Sequence, residues 1–175
     1  MIEIEKGNTD QELGEVIRET ANDNKPNKFE GVKGWLLLFC IILAIINPIG
    51  TFLNLNNGWA DTYQYFDEVN GMETFVITDT VIAILVMLLS IRAGIALWKI
   101  KPRAVIIARN YLLIFLGYTV LSSQFLGYIS GLSSDIIEAM RPEMQIILRD
   151  GLIYFGIWFS YLSLSRRVKA TYSLS

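Results

Sequence analysis

Long apolar runs alternate with short polar segments along most of this chain. Four runs stand out, at about residues 35–53, 75–98, 104–128 and 144–165. A bilayer core needs about 20 predominantly apolar residues when they form an α-helix, and each run is close to that length or longer. The pattern therefore predicts an all-α membrane protein with four transmembrane helices.

The polar segments between the runs predict how the helices are threaded. Lys and Arg cluster before the first run, between the second and third, and after the fourth, whereas the other two loops hold only Arg141. Because cytoplasmic loops carry the excess of basic residues, both termini are predicted to be cytoplasmic, in an up-down-up-down bundle. The cytoplasmic anchors are Lys99, Lys101, Arg103, Arg166, Arg167 and Lys169.

The first thirty residues differ in character from the rest. They are mostly polar and rich in acid, which predicts a cytosolic, partly disordered tail at 1–30 and a membrane domain at 31–175. Thr9 and Glu12 fit a capping box for a short helix within the tail, so a partner-binding helix is the alternative interpretation.

Composition excludes several classes of function. Hydrophobic residues make up 53% of the chain and charged residues 18%, and the net charge is −2 without a basic face, so nucleic-acid binding is not expected. The chain has no histidine, the commonest general base and metal ligand. An intramembrane enzyme would have to use Asp79, Asp150, Cys40 or a serine, and no nucleophile–base spacing is present. We therefore predict neither enzymatic activity nor a cofactor.

Two features of the runs bear on helix packing. Pro48 lies within the segment Asn47–Gly50 of the first run and predicts a kink, because proline removes a backbone donor. The alternative is a broken helix whose carbonyls face a ligand. In the second run, Ser90 and Gly94 are four residues apart, a spacing that permits close helix approach.

Charged residues within the runs mark the candidate sites. Asp79, Arg149 and Asp150 are predicted to lie about 6–9 Å below the outer boundary, at about 1.5 Å per helical residue. Asp79 could pair with Arg149, or all three could form a ligand site. Arg92 and Arg109 lie about 9 Å from the cytoplasmic boundary by the same measure. They are predicted either to snorkel or to hold an anionic lipid head group.

Segments at both ends of the membrane domain resemble one bacterial family. Its proteins typically close with a pattern like S-K-R-V-K-x-T-F and open the first span with G-G-W-L. The matching residues here are Gly34–Leu37, Arg149–Gly151, Ile157–Trp158, Tyr161–Leu162 and Ser165–Tyr172, with Lys33, Arg166 and Tyr172 differing from the usual residues. The chain is thus similar to the domain of unknown function 2569 family from about residue 31 onward. The resemblance implies a small four-span protein of the bacterial inner membrane and assigns no activity.

Two kinds of function fit these features. The first is an accessory or structural membrane protein that binds lipids, other membrane proteins or further copies of itself. A stripe of small residues at Ser123, Gly127 and Gly131 favours it. The alternative is a small oligomeric transporter, channel or ligand sensor that uses the outer polar layer. Convergence of the intramembrane charges on a cavity would favour the alternative.

Overall fold

A computed structural model describes residues 31–67, 69, 71–125 and 134–172. They belong to one unit, Gly31–Ser175. The predicted tail at 1–30 and its capping box lie outside the described residues, as do two members of the small-residue stripe, Gly127 and Gly131.

Each regular element in the described part of the chain is helical, which confirms the predicted all-α class. A short 3-10 turn, Tyr63–Tyr65, follows the first helix. The helices are α1 (Trp35–Thr62), α2 (Met72–Trp98), α3 (Ala104–Phe125), α4 (Ser134–Leu164) and α5 (Arg166–Tyr172).

Among these helices, α1, α2 and α3 are long and apolar enough to cross a membrane. The prediction of four such helices is therefore confirmed for three of them. Helix α4 has 31 residues, which is ample length. It falls short in apolarity because Arg149 and Asp150 lie in its middle and charged residues occupy its first turns.

Two helix boundaries also differ from those that the apolar runs predict. Helix α1 continues to Thr62, well past the predicted end near residue 53, and its half from Asn47 onward contains no buried residue. Helix α4 begins at Ser134 and includes Pro142 rather than beginning there. Proline leaves the carbonyl four residues earlier without its helical donor. That residue is the exposed Glu138, so water or head groups can reach it.

Helices α1 and α2, which follow one another in the chain, pack antiparallel. Trp59 near the end of α1 donates from Nε1 to Oγ1 of Thr80 near the start of α2, at 2.8 Å. Helices α1 and α4 also meet, through stacked rings of Phe39 and Trp158 whose centroids are 4.3 Å apart. The described helices therefore form a closed bundle.

The larger packed core occupies one half of this bundle, and a smaller cluster of Val69, Met72 and Val76 lies at the other end. The half with the larger core contains the start of α1, the end of α2, the start of α3 and the end of α4. Its buried residues include Leu36, Phe39, Cys40, Leu43, Ala93, Leu97, Ala108, Leu112, Trp158 and Leu162. The opposite half is where the candidate site lies.

The connection from α2 to α3 ends the helix with a Schellman motif. The amide of Lys101 donates to the carbonyl of Ala96, and the amide of Ile100 donates to Leu97. Ile100 has a φ of 47°, at the position where glycine is usual. Helix α5 packs on the same end, because Tyr172 donates from Oη to the Leu97 carbonyl at 2.7 Å. Burial also raises the pKa of the Tyr172 hydroxyl.

Candidate ligand cavity

A cavity of about 770 Å³ lies between α1, α2, α3 and α4, in the half of the bundle away from the core. Its polar lining side chains come from four helices, so only the folded bundle brings them together. They are Asn47, Thr51, Asn54, Thr62, Asp79, Thr80, Ser90, Tyr111, Tyr118, Thr119, Ser122, Ser123, Asp150 and Tyr154.

The charged groups of this lining have one sign. Asp79 and Asp150 line the cavity, and no Lys or Arg in the described part of the chain does so. Aromatic side chains complete the walls. They are Trp59, Phe75, Tyr111, Phe115, Tyr118 and Tyr154. The cavity therefore combines carboxylate, hydroxyl and aromatic groups.

Asp79 is held by hydroxyl groups of α3. Tyr118 donates from Oη to Asp79 Oδ1 at 3.1 Å, and Ser122 donates from Oγ to the same oxygen at 3.3 Å. Residues four apart share one face of a helix, which is why both donors reach one acceptor. Oδ2 accepts no hydrogen bond from the described residues. No cation among them lies within ion-pair distance of Asp79.

The predicted pair of Asp79 with Arg149 is not formed. Arg149 instead donates from Nε and Nη2 to Oδ1 of its neighbour Asp150, both at 2.9 Å. The Arg149 side chain is 64% exposed and does not line the cavity. The position of a residue along a helix gives its depth in the membrane. The direction in which its side chain points around the helix axis depends on how the helix packs against its neighbours. Of the predicted polar layer, the structure brings Asp79 and Asp150 to the cavity.

Asn47 closes the cavity on the side of the core. Its Nδ2 donates to Tyr111 Oη at 3.1 Å and to Tyr154 Oη at 3.0 Å, and so links α1, α3 and α4. Neither tyrosine was predicted to belong to a site. Tyr118, which was not predicted either, follows Tyr111 by seven residues, and this spacing places both on one face of α3.

A wide helical turn positions Asn47. Residues Ile42–Ile46 form a π-helix, and the amide of Asn47 donates to the carbonyl of Ile42. In this register, the donor for the Leu43 carbonyl would be the amide of residue 48, which proline lacks. Ser90 supplies the missing donor, from Oγ at 2.8 Å.

This turn settles the two interpretations of Pro48. Helix α1 continues through Pro48, so the broken helix is not observed. The carbonyl that lacks a helical donor is bonded to Ser90 and is not offered to a ligand. A π-turn inside an α-helix is rare and frequently accompanies a functional site. Here it places Asn47 at the boundary between core and cavity.

Two glycines allow the helices around the cavity to approach closely. A Cβ added at Gly94 would lie 2.9 Å from the backbone nitrogen of Ala44, which confirms the predicted close approach at Ser90 and Gly94. A Cβ added at Gly151 would lie 2.7 Å from Cγ2 of Thr119. The α1–α2 contact therefore requires glycine, whereas at the α3–α4 contact the Thr119 side chain would have to rotate to admit a Cβ.

Arg92 and Arg109 lie away from the cavity. Arg92 is exposed on α2. Arg109 is half-buried, donates from Nη2 to the Leu162 carbonyl at 3.2 Å, and has Cζ at 5.9 Å from the centroid of the Phe159 ring. Cations near the last carbonyls of a helix stabilise it, so Arg109 supports the end of α4.

The predicted cytoplasmic anchors lie at the end of the bundle that contains the packed core. Five of them are exposed and Arg167 is half-buried.

A family model described as "Protein of unknown function (DUF2569)" matches residues 29–173. The chain belongs to this family. The resemblance noted in the first span and the C-terminal segment is thereby confirmed. No curated protein and no solved structure matches the chain. DUF2569 membership and the apolar helices together indicate a membrane protein, and the family description carries no activity.

Proposed function

We propose that this DUF2569 protein binds a small polar ligand in the cavity between its helices, as a transporter or a ligand sensor. The observation that carries the proposal is the convergence of polar side chains from four helices on a cavity of about 770 Å³. Small-molecule sites typically enclose about 300–1,000 Å³ and place a few polar groups among apolar and aromatic ones. The lining has this composition.

The cost of polar groups in a membrane supports ligand binding over a purely structural role. Unsatisfied polar groups within a bilayer each cost several kcal/mol, and ionisable residues there commonly mark ligand or ion pathways. Asp79 has one carboxylate oxygen without a hydrogen bond from the described residues. A bundle needed only for packing would gain stability from apolar side chains at these positions.

The proposed topology places four helices across the bacterial inner membrane. Helix α4 would be about 46 Å long at about 1.5 Å per residue, which exceeds the hydrocarbon thickness. The mutual pairing of Arg149 and Asp150 lowers the cost of inserting both charges. With both termini cytoplasmic, the cavity lies in the outer half of the membrane. Single cysteines can be placed at exposed Lys101 or Asp61 in a Cys40→Ala background. The cysteine at position 101 should react with an impermeant thiol reagent only from the cytoplasmic side, and the cysteine at position 61 only from the outer side.

A contact between Arg92 and an anionic lipid head group is a second proposal. It is supported by the exposure of Arg92 near the end of α2, which is followed by exposed Lys99 and Lys101. Retention of phosphatidylglycerol by the purified protein should fall in Arg92→Gln and be unchanged in Asp61→Asn. Association with a membrane protein partner or with further copies of the chain, as the predicted oligomeric transporter requires, remains part of the proposal.

Filling the cavity tests the ligand-binding function. Gly50 lines it, and a Cβ added there would meet no atom within 4 Å. Gly50→Phe should therefore occupy the cavity without disturbing the packed core. Gly156→Phe is the matched control, because Gly156 also has open space around it and does not line the cavity.

The measurement is the unfolding temperature of purified full-length protein in nanodiscs, across a panel of amines, amino acids, sugars and carboxylic acids. A bound ligand raises the unfolding temperature through mass action. We expect at least one compound to stabilise the wild type and Gly156→Phe but not Gly50→Phe. If no compound does so, or if Gly50→Phe responds like the wild type, the proposed function is wrong.

A further inference from the structure

We infer that the ligand of this cavity is an organic ammonium ion, an inference that rests on the proposed function and names the class of its ligand. Three properties of the lining carry it: the balance of charge, the aromatic walls and the size of the cavity.

The charge balance of the cavity favours a cation. Asp150 shares its charge with Arg149 at 2.9 Å, whereas Asp79 accepts hydrogen bonds from the hydroxyl groups of Tyr118 and Ser122 and has no ion-pair partner among the described residues. A carboxylate within a bilayer is expensive unless it is paired or hydrated. A ligand cation next to Asp79 would supply the positive charge that the described residues do not. An anionic ligand would meet two carboxylates and no basic side chain among the described residues of this lining.

The walls are suited to an alkylated cation. Phe115 and Tyr154 lie edge to face with centroids 5.3 Å apart, and Phe115 is 6.1 Å from Tyr111. Trp59 and Tyr118 line the same cavity. Aromatic faces attract ammonium groups electrostatically and pack against their carbon substituents, which is how quaternary ammonium ligands are commonly bound. A saturated aliphatic wall would offer only the second interaction.

The size of the cavity argues against a bare metal ion. Hard cations such as Ca²⁺ need six to eight oxygen ligands at about 2.3–2.6 Å, which demands a compact oxygen cage. A cavity of about 770 Å³ with aromatic walls is far larger than such a cage. An organic ammonium ion can fill more of the space while its charged group approaches Asp79.

The test compares a cation with its neutral isostere. Choline and 3,3-dimethyl-1-butanol have nearly the same shape and differ in the charged nitrogen. Dissociation constants are measured on full-length protein in nanodiscs, at constant ionic strength with NaCl as the reference salt. We expect choline to bind the wild type about tenfold or more tightly than the alcohol. Interactions with a charged group are typically stronger than neutral hydrogen bonds by an amount that corresponds to about tenfold in affinity. Gly50→Phe should bind neither compound.

The variants assign the charge effect to one carboxylate. Asp79→Asn keeps an acceptor for Tyr118 and Ser122 and should weaken choline binding about tenfold or more without changing binding of the alcohol. Asp61→Asn removes an equal charge from an exposed position outside the lining and should change neither. The comparison of the two compounds on the wild type does not depend on whether Asp79→Asn folds.

The outcomes separate this inference from the proposed function. Equal affinity for choline and the alcohol, or choline binding unaffected by Asp79→Asn, overturns the ammonium inference. The ammonium inference is also overturned if a sugar, a carboxylic acid or Na⁺ binds, Gly50→Phe blocks that binding, and ammonium compounds do not bind. In that case the proposed function stands, because the cavity still binds a ligand. If no compound binds in a way that Gly50→Phe prevents, both the ammonium inference and the proposed function are overturned.

Discussion

Replacing Gly94 by alanine should destabilise the bundle at the contact between α1 and α2. The new methyl carbon would lie 2.9 Å from the backbone nitrogen of Ala44, 3.0 Å from its Cβ and 3.1 Å from Cβ of Leu43. Carbon atoms normally stay about 3.5–4.0 Å from such neighbours. Because the nearest atom belongs to the backbone, relief requires α1 and α2 to move apart.

The size of the effect follows from two opposing terms. Overpacking of this kind typically costs about 1–3 kcal/mol, and a backbone neighbour places Gly94→Ala in the upper part of that range. Alanine gains about 1 kcal/mol over glycine within a helix. We therefore expect a net loss of about 1–2 kcal/mol in the free energy of unfolding.

Two other glycines provide a graded comparison. At Gly151 the clash would be with the Thr119 side chain, at 2.7 Å, which can rotate, so Gly151→Ala should cost less than Gly94→Ala. At Gly117 the added carbon meets nothing within 4 Å, so Gly117→Ala should be neutral or stabilising by up to about 1 kcal/mol.

The assay is unfolding in mixed micelles with increasing SDS fraction, followed by tryptophan fluorescence. Trp158 is 6% exposed and stacks on Phe39, so its emission should report loss of the core. We expect Gly117→Ala to be the most stable of the three variants, Gly151→Ala to be intermediate and Gly94→Ala to be the least stable. If Gly94→Ala is as stable as Gly117→Ala, the close approach of α2 to the wide turn of α1 is wrong.

Three further predictions concern other contacts in the bundle. Ser90→Ala should lower the free energy of unfolding by about 1–3 kcal/mol, because it removes the donor to the Leu43 carbonyl. The loss should be clearly smaller in a Pro48→Ala background, where residue 48 regains an amide that can donate to that carbonyl. Equal losses in both backgrounds would contradict this assignment. Ile100→Gly should stabilise the protein by about 1 kcal/mol in thermal unfolding, because glycine adopts its positive φ without strain, and a loss of stability would show that side-chain packing outweighs the strain. Arg109→Gln should cost about 1.5–3 kcal/mol through the lost bond to the end of α4, while exposed Arg92→Gln should stay within about 0.5 kcal/mol; similar values for the two would refute the capping role.

The division of the bundle into a half that holds the larger core and a half that holds the cavity gives the wide turn its significance. On one side of Ile42–Ile46, α1 contributes buried residues such as Phe39 and Leu43 to the core. On the other side, from Asn47 to Thr62, no residue of α1 is buried. The π-turn changes the face that the helix presents, and Asn47 lies directly after it. A bundle with uniform packing along its length would have no comparable cavity.

Sequence predicted some local features of the site and missed others. The importance of Pro48, and of Ser90 with Gly94, was visible because proline and glycine act through the backbone wherever they occur. The Asn47 bonds to Tyr111 and Tyr154 were not visible, since those residues are 64 and 107 positions away along the chain. Hydrogen bonds between helices depend on rotation about each helix axis, which short-range patterns do not encode.

The sequence by itself determined the helical class and the apolar runs suited to a membrane, because transfer of side chains into a bilayer depends on composition along the chain. It also determined the membership of the family, through the residues at both ends of the membrane domain. Only the tertiary structure decided which charges belong together. Helix α2 is apolar on nearly all sides, so no polar stripe indicates which face carries Asp79 inward. Its direction is set by the glycine contact at Gly94 and by the hydroxyl groups of α3. Those contacts direct Asp79 into the cavity, where Tyr118 and Ser122 hold it and Arg149 does not reach it.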